Sequence, residues 1–166
     1  MNLSRMLAAR EEEGRPVRVG IIGAGKFGEM YLSQARLTRG VHILGVADLD
    51  TGRARDQLAH IGWEAERFDA ARFSEALASG KTYVTDDAMG LIAADGLDVL
   101  IEETGDPGAG LRHARAAIAA GVHVVMVNVE ADVVAGPLLA EEARAKGVVY
   151  SMAWGDQPAL ISEHVD

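Results

Sequence analysis

The chain of 166 residues contains no cysteine, which excludes disulfides and metal sites built on thiolates. Basic residues are also scarce, since 16 Lys and Arg stand against 25 Asp and Glu, for a net charge of −9. Nucleic-acid-binding proteins concentrate Lys and Arg on one face, so this balance argues against a nucleic-acid partner. No apolar run approaches the ~20 residues that span a bilayer, and the acidic start opposes a signal peptide. The composition predicts a cytoplasmic chain that does not bind a membrane.

Signatures of hydrolytic and metal chemistry are missing as well. The histidines lack metal-ligand spacing such as H-x-x-x-H, so we expect packing or surface roles for them and no metal site. No G-x-S-x-G segment is present, and nucleophilic hydrolysis therefore has no support. The five histidines are His42, His60, His113, His123 and His164.

Apolar runs and single glycines alternate along the chain and predict its secondary structure. Strands are expected over 17–22, 41–47, 82–85, 97–102, 122–127 and 148–152. Helices are expected over 3–13, 26–38, 52–62, 72–79, 87–94, 108–120 and 136–146, with a further one beginning at Pro158. Gly80, Gly121 and Gly147 are placed to end helices, because glycine adopts positive φ without a Cβ penalty.

The best strands are continuous apolar stretches separated by helices, a pattern typical of a parallel sheet buried on both faces. The fold class expected is α/β, with a doubly wound, mostly parallel sheet of about six strands. We expect residues 1–166 to form a single domain of this Rossmann-like type, with a short amphipathic helix at its start.

One glycine-rich segment, residues 23–28, fits G-x-G-x-x-G and lies where the first strand meets a helix. Gly23 would permit the tight turn, Gly25 would let a pyrophosphate approach the backbone, and Gly28 would let the helix pack close to the strand. Lys26 and Phe27 complete the segment as cofactor-binding candidates. The sequence therefore predicts dinucleotide binding, with a purely structural glycine turn as the alternative.

The same region also fits G-x-x-x-x-G-K of a phosphate-binding P-loop, from Gly20 to Lys26. A P-loop needs Ser or Thr next, to hold magnesium, but Phe27 stands there. Gly20 also lies inside the predicted strand rather than after it. Nucleoside triphosphate hydrolysis is therefore a poor interpretation.

An acidic residue supports the dinucleotide interpretation, because Asp48 ends the second strand, where a carboxylate accepts hydrogen bonds from the adenosine ribose. Asp48 would repel a 2′-phosphate. Arg53 and Arg55 follow closely and could turn toward such a phosphate, or they could be solvated charges on a helix. The choice between NAD and NADP stays open on these residues.

Polar residues follow the later strands, and ligands of doubly wound sheets lie at these carboxyl ends. Thr104 and Asn128 are candidates for contact with the nicotinamide ribose or carboxamide. Glu130 and Asp156 could face a substrate and are weak catalytic candidates. The alternative for each carboxylate is a charge at a helix N-terminus.

Several segments together are similar to a known family: VRVGIIGAGKFG, VTDD, DVLIEETGDP, GVHVVMVNVEADV and GPLLAEEARAKGVVYSMAWGDQPALI. They resemble the N-terminal NAD(P)-binding domain of homoserine dehydrogenase-like oxidoreductases. Within that family, VMVNVEADV and GDQPALI most resemble the subgroup of 1-deoxy-D-xylulose 5-phosphate reductoisomerase-like enzymes. The resemblance implies that Thr104 and Gly105 form the turn under the nicotinamide ring and that Asn128 lies near it. It also implies NADPH, which gives a slight lean to NADP, and a role in isoprenoid biosynthesis.

The chain departs from homoserine dehydrogenases at one position: they read A-N-K, with a lysine near the substrate, where this chain has Val127, Asn128 and Val129. The departure favours a different substrate. Members of the family also continue beyond the GDQP segment, so we expect a C-terminal catalytic domain in the full-length protein and little catalysis by these 166 residues alone.

Two functions follow as hypotheses. The first is the cofactor domain of an NAD(P)-dependent oxidoreductase that transfers hydride between nicotinamide and a small hydroxy or keto substrate. The second is a non-catalytic domain that senses a nucleotide or coenzyme A. Homo-oligomerisation is left open.

Overall fold

Six parallel strands form the sheet in the computed structural model, which describes residues 2–153. Their order is β3-β2-β1-β4-β5-β6, so β2 and β3 lie on one side of β1, and β4, β5 and β6 lie on the other. This order confirms the predicted α/β, doubly wound sheet. The strands are β1 Val17–Ile22, β2 Val41–Ala47, β3 Tyr83–Thr85, β4 Val99–Glu102, β5 His123–Met126 and β6 Tyr150–Met152.

Helices connect the strands and cover both faces of the sheet. They are α1 Leu3–Glu12, α2 Lys26–Ala35, α3 Thr51–His60, α4 Phe73–Ser79, α5 Ala88–Ile92, α6 Pro107–Ala120 and α7 Val129–Lys146, with a 3₁₀ turn at Ala65–Arg67. Gly80, Gly121 and Gly147 end α4, α6 and α7 in the left-handed region, as predicted.

The core consists of two apolar clusters, one on each face of the sheet. Side chains of one strand alternate between them: Ile21 belongs to the cluster under α2 and α3, whereas Ile22 belongs to the cluster under α4 to α7. Leu100 and Ile101 divide in the same way on β4. The residues that follow Ile101 therefore continue the alternation at the carboxyl end of the sheet, where ligands of this fold class bind.

The predicted start of α7 is wrong. The pattern places this helix over 136–146, but it begins at Val129. Asn128 caps it by accepting a hydrogen bond from the Ala131 N–H at 3.1 Å. The helix continues through Pro137, and its buried face extends across this position from Ala135 to Leu139.

The remaining helices and strands lie within a few residues of their predicted positions. The helix predicted from Pro158 lies outside the described residues. Among residues 2–153, no helix has both the length and the apolar character needed to cross a membrane.

Candidate functional site

The turn after β1 depends on glycine at position 23. Gly23 has φ +97°, and its N–H donates to the Ala47 carbonyl at 2.8 Å. A Cβ here would lie 3.0 Å from the backbone carbonyl of Glu103. Any other residue would therefore be strained by its φ and crowded by the neighbouring strand end.

Gly25 and Gly28 differ in the space around them. Gly25 is the N-cap of α2 without a side-chain cap, and a Cβ built on it meets nothing within 4 Å. The N-terminus of α2 therefore has no side-chain cap at Gly25 and open space beside this residue, which suits an approaching anion. Gly28 is buried, and a Cβ on it would overlap the Glu103 carboxyl oxygen Oε1. Lys26 is exposed and Phe27 half-buried on the first turn of α2.

Asp48 is held firmly beside this turn. Its Oδ2 accepts from the Ala24 N–H at 2.6 Å, and its Oδ1 accepts from the Asp50 N–H at 2.9 Å. Burial, which leaves 7% of the side chain exposed, opposes ionisation, but these bonds and Arg53 outweigh it and lower the pKa of Asp48. The carboxylate is therefore ionised at neutral pH.

The two predicted arginines behave differently. The Arg53 Nη2 lies 3.0 Å from both oxygens of Asp48, and Arg53 remains largely exposed. Arg55 instead donates to the carbonyls of Phe68 at 3.0 Å and Val84 at 3.3 Å. Of the pair, Arg53 is the one at the edge of the turn, whereas Arg55 ties α3 to the loop before β3 and to β3 itself.

The candidates after β4 and β5 come together in one network. Thr104 Oγ1 accepts from Asn128 Nδ2 at 3.3 Å, and the same amide donates to the Asp106 carbonyl at 2.9 Å. Asn128 is buried, and a Cβ on Gly110 would lie 2.6 Å from its Nδ2. Gly105 has φ +71° in the turn between β4 and α6. Asn128 thus holds this turn against the start of α7.

The weak catalytic candidates lie apart from this network or outside the described residues. Glu130 is exposed in the first turn of α7, where a carboxylate favours the positive end of the helix dipole. Asp156 lies outside the described residues. Within residues 2–153, no cluster of three or more His, Asp or Glu side chains could hold a metal ion.

A cavity of about 530 Å³ opens at the carboxyl ends of β1, β2 and β4. Its walls are formed by residues from elements that are distant in sequence, several of them acidic or basic. The lining residues include Gly23, Asp48, Arg53, Thr104, Arg112 and His113. The cavity therefore joins the predicted ribose carboxylate to the turn after β4.

Two carboxyl groups that the sequence interpretation left without a role lie under the site. Glu102 is fully buried, and its Oε1 accepts from Thr104 Oγ1 at 2.7 Å and lies 3.1 Å from His113 Nδ1. Glu103 faces α2 with both oxygens buried and without a hydrogen-bond partner among the described residues. Burial, then the charges of Glu102 and Asp48, raise the pKa of Glu103 to about 9. The apolar strand directly before both residues was the available signal of their burial.

Residues 17–152 match the GFO/IDH/MocA oxidoreductase family, described as having an NAD-binding Rossmann fold. The chain belongs to this family. Because the matched residues are most of the chain, the NAD(P)-binding oxidoreductase domain predicted from the glycine turn and Asp48 is confirmed. No curated protein sequence matches the chain significantly.

Solved structures share the fold at low sequence identity. An NAD-binding oxidoreductase from Klebsiella pneumoniae is 22% identical with a TM-score of 0.62, over 90% of this chain and 38% of that one. Biliverdin reductase from Synechocystis, in complex with biliverdin and NADP⁺, is 20% identical with a TM-score of 0.58, over 82% and 37%. A homoserine dehydrogenase from Thiobacillus denitrificans is 25% identical with a TM-score of 0.62, over 83% and 29%. The chain thus spans about a third of the length of these proteins.

Proposed function

We propose that the cavity and the glycine turn together hold the adenosine and pyrophosphate parts of a nicotinamide dinucleotide. The observation that carries this is the bond from the Ala24 N–H to Asp48, which joins the turn to the predicted ribose carboxylate. The open backbone at Gly25 suits a pyrophosphate, and the ionised Asp48 suits ribose hydroxyls. Bound there, the cofactor would supply hydride-transfer chemistry.

The geometry favours NAD over NADP, against the lean that the family resemblance implied. Asp48 carries a charge that repels a 2′-phosphate, and its four hydrogen-bonding contacts already hold it in place. Arg53 offsets part of this repulsion, so NADP is expected to bind more weakly rather than not at all. Arg53 must leave at least one Asp48 oxygen before a ribose hydroxyl can bind there.

For the nicotinamide half, Thr104 and Gly105 stay predictions. Thr104 lines the cavity, and Gly105 supplies the positive φ of its turn. Asn128 supports this region indirectly, because all three hydrogen bonds of its side-chain amide group are made within the protein. We therefore assign Asn128 to positioning of the turn after β4.

The substrate is proposed at the level of a small hydroxy or keto compound. A homoserine dehydrogenase-like reaction, a reductoisomerase-like reaction and a role in isoprenoid biosynthesis stay predictions from the resemblance. The solved structures to which the chain is similar are about three times longer than the part matched here, so the activity of a whole protein is a proposal for this chain. We expect the 166-residue chain to bind cofactor with little turnover.

One observation favours the non-catalytic alternative. Val129 stands where the resemblance implies a lysine near the substrate, and it is half-buried at the first position of α7. An aliphatic side chain cannot donate or accept a proton. A sensor would bind the dinucleotide and leave its redox state unchanged in the presence of candidate keto compounds.

The experiment is a calorimetric titration of the 166-residue chain with NADH and with NADPH. We expect NADH to bind more tightly, and Asp48→Ala to weaken NADH by more than about tenfold while NADPH changes less. Asp69→Ala is the matched control, because Asp69 is a surface carboxylate paired with Lys81 outside the cavity. Absence of binding by either cofactor at millimolar concentration would overturn the proposal.

A further inference from the structure

His113 lines the cavity, and its ring contacts a buried carboxyl group. It lies on α6, and its side chain is 13% exposed. Its Nδ1 is 3.1 Å from Oε1 of the fully buried Glu102. The sequence suggested only packing or surface roles for histidines, because the contact joins residues that no spacing rule connects.

The Glu102 contact determines which ring nitrogen is free. Oε1 of Glu102 also accepts a hydrogen bond from Thr104 Oγ1 at 2.7 Å. A carboxylate only accepts, so with Glu102 in that form the hydrogen between the ring and Glu102 lies on His113 Nδ1. In the neutral ring this leaves Nε2 with an unshared electron pair, on a side chain that lines the cavity.

The neighbours of His113 on the cavity wall indicate which part of a ligand it would meet. The same cavity is lined by Asp48 and Gly23, the proposed ribose and pyrophosphate positions, and by Arg112 beside His113 on α6. Asp48 lies at the end of β2 and His113 follows β4, so they approach the cavity from strands on opposite sides of β1. Asp86, which follows β3 next to β2, lines the same cavity, so the cavity with His113 on its wall extends to the β2 side of the sheet, where the adenosine half is proposed to bind.

We propose that His113 is a cofactor-binding residue whose Nε2 accepts a hydrogen bond from an N–H or O–H group of the adenosine half of the dinucleotide. Glu102 is its positioning residue and acts only through the ring. This inference rests on the proposed function, since it names a further residue of the same binding site.

Calorimetry with ADP-ribose tests the assignment, because this probe contains the adenosine half and lacks nicotinamide. We expect His113→Ala to weaken ADP-ribose and NADH by the same factor, about five- to tenfold, as for loss of one hydrogen bond. His113→Gln, which restores an acceptor, should recover part of the loss. His123→Ala is the matched control, since His123 is a half-buried histidine that accepts from the Val149 N–H outside the cavity. Equal affinity of wild type and His113→Ala would overturn the proposal.

A second measurement keeps the test independent of how the variants fold. In the wild-type chain, ¹⁵N NMR should show His113 protonated on Nδ1, and saturation with ADP-ribose should shift the Nε2 resonance. Glu102→Gln should change the tautomer populations of His113, which a purely structural role of Glu102 in packing would not do. An Nε2 resonance that ADP-ribose leaves unmoved contradicts the proposal, whereas a wild-type chain that binds no ADP-ribose and no NADH overturns the proposed function with it.

Discussion

Glu102 and Glu103 are consecutive acidic residues at the end of β4, yet their carboxyl groups lie in different surroundings on opposite faces of the sheet. Glu102 points to the α6 face, where Thr104 and His113 contact the same oxygen. Glu103 points to the α2 face, where neither of its oxygens has a hydrogen-bond partner among the described residues. A strand alternates its side chains, so one step along the chain separates an acid with partners at one oxygen from an acid with partners at neither.

The difference shows that burial alone does not determine what a carboxyl group does. Two partners contact Oε1 of Glu102, although its Oε2 is buried without a partner among the described residues, whereas Glu103 has no partner at either oxygen, and its pKa of about 9 keeps it neutral at pH 7. A neutral acid also adds no negative charge beneath the turn proposed to bind pyrophosphate. We therefore expect the two residues to contribute to stability with opposite signs.

The largest effect is expected from Glu102→Ala. The change leaves a cavity at a fully buried position and removes the acceptor of Thr104 and His113, so the free energy of unfolding should fall by about 3 kcal/mol. Urea denaturation at neutral pH measures this. Glu141→Ala, an exposed acid on α7, is the control that should change little. Equal midpoints for Glu102→Ala and the wild type would mean that the partners contribute nothing.

Glu103→Gln should stabilise the chain, and the gain should depend on pH. The folded state keeps the proton of Glu103 up to a pKa of about 9, while the unfolded state releases it near 4.5, so wild-type stability is lost as pH rises through this window. Glutamine does not titrate there. We expect the variant to be about 2 kcal/mol more stable near pH 6 and equal to the wild type near pH 4, as measured by urea denaturation at both. A gain in stability that does not change with pH would show that Glu103 is not held in its neutral form in the folded state.

Gly28→Ala should test the space that Glu103 occupies. The new Cβ would overlap Glu103 Oε1, so the variant should lose about 2 kcal/mol in the wild-type background and little when Glu103→Ala is also present. The control is Gly108→Ala on α6, whose Cβ would meet its nearest atoms at an ordinary 3.4 Å. Additive effects of Gly28→Ala and Glu103→Ala would show that the two residues do not compete for this space.

The smallest effect is expected from a substitution at Asp48, which lies outside the Glu102 and Glu103 pair. The charge of Asp48 is the third contribution to the raised pKa of Glu103, after burial and Glu102. Asp48→Asn should therefore lower the pKa of Glu103 toward its ordinary value, as read from the ¹³C resonance of its carboxyl group during a pH titration. Asp69→Asn should leave the titration unchanged. An unshifted titration in Asp48→Asn would leave burial and Glu102 as the causes.

The features predicted from sequence are those set by neighbours in the chain. The glycine turn, Asp48 at the end of β2 and the helix ends at Gly121 and Gly147 follow from local backbone rules, and the alternation of apolar runs predicts the sheet. The start of α7 was missed because Asn128 was assigned to contact with the nicotinamide and its capping role was not considered.

The features missed depend on elements that meet only in the fold. Two adjacent acids in a sequence are usually solvent-exposed, and the apolar strand before Glu102 and Glu103 is a weak local sign that they lie beneath a sheet edge. The contact of Glu102 with His113 requires α6 to pack on β4, which no residue spacing states. Pairing across elements therefore accounts for most of what sequence reasoning could not predict at this site.

Asn128 connects the turn after β4 to the first turn of α7. It caps α7 through the Ala131 N–H, holds the Asp106 carbonyl after β4, and is pressed against Gly110. A ligand that displaces the turn after β4 would disturb the side chain of Asn128, which also caps the first turn of α7. The exchange rate of the Ala131 amide hydrogen is consequently a reporter of events in a cavity that Ala131 does not line.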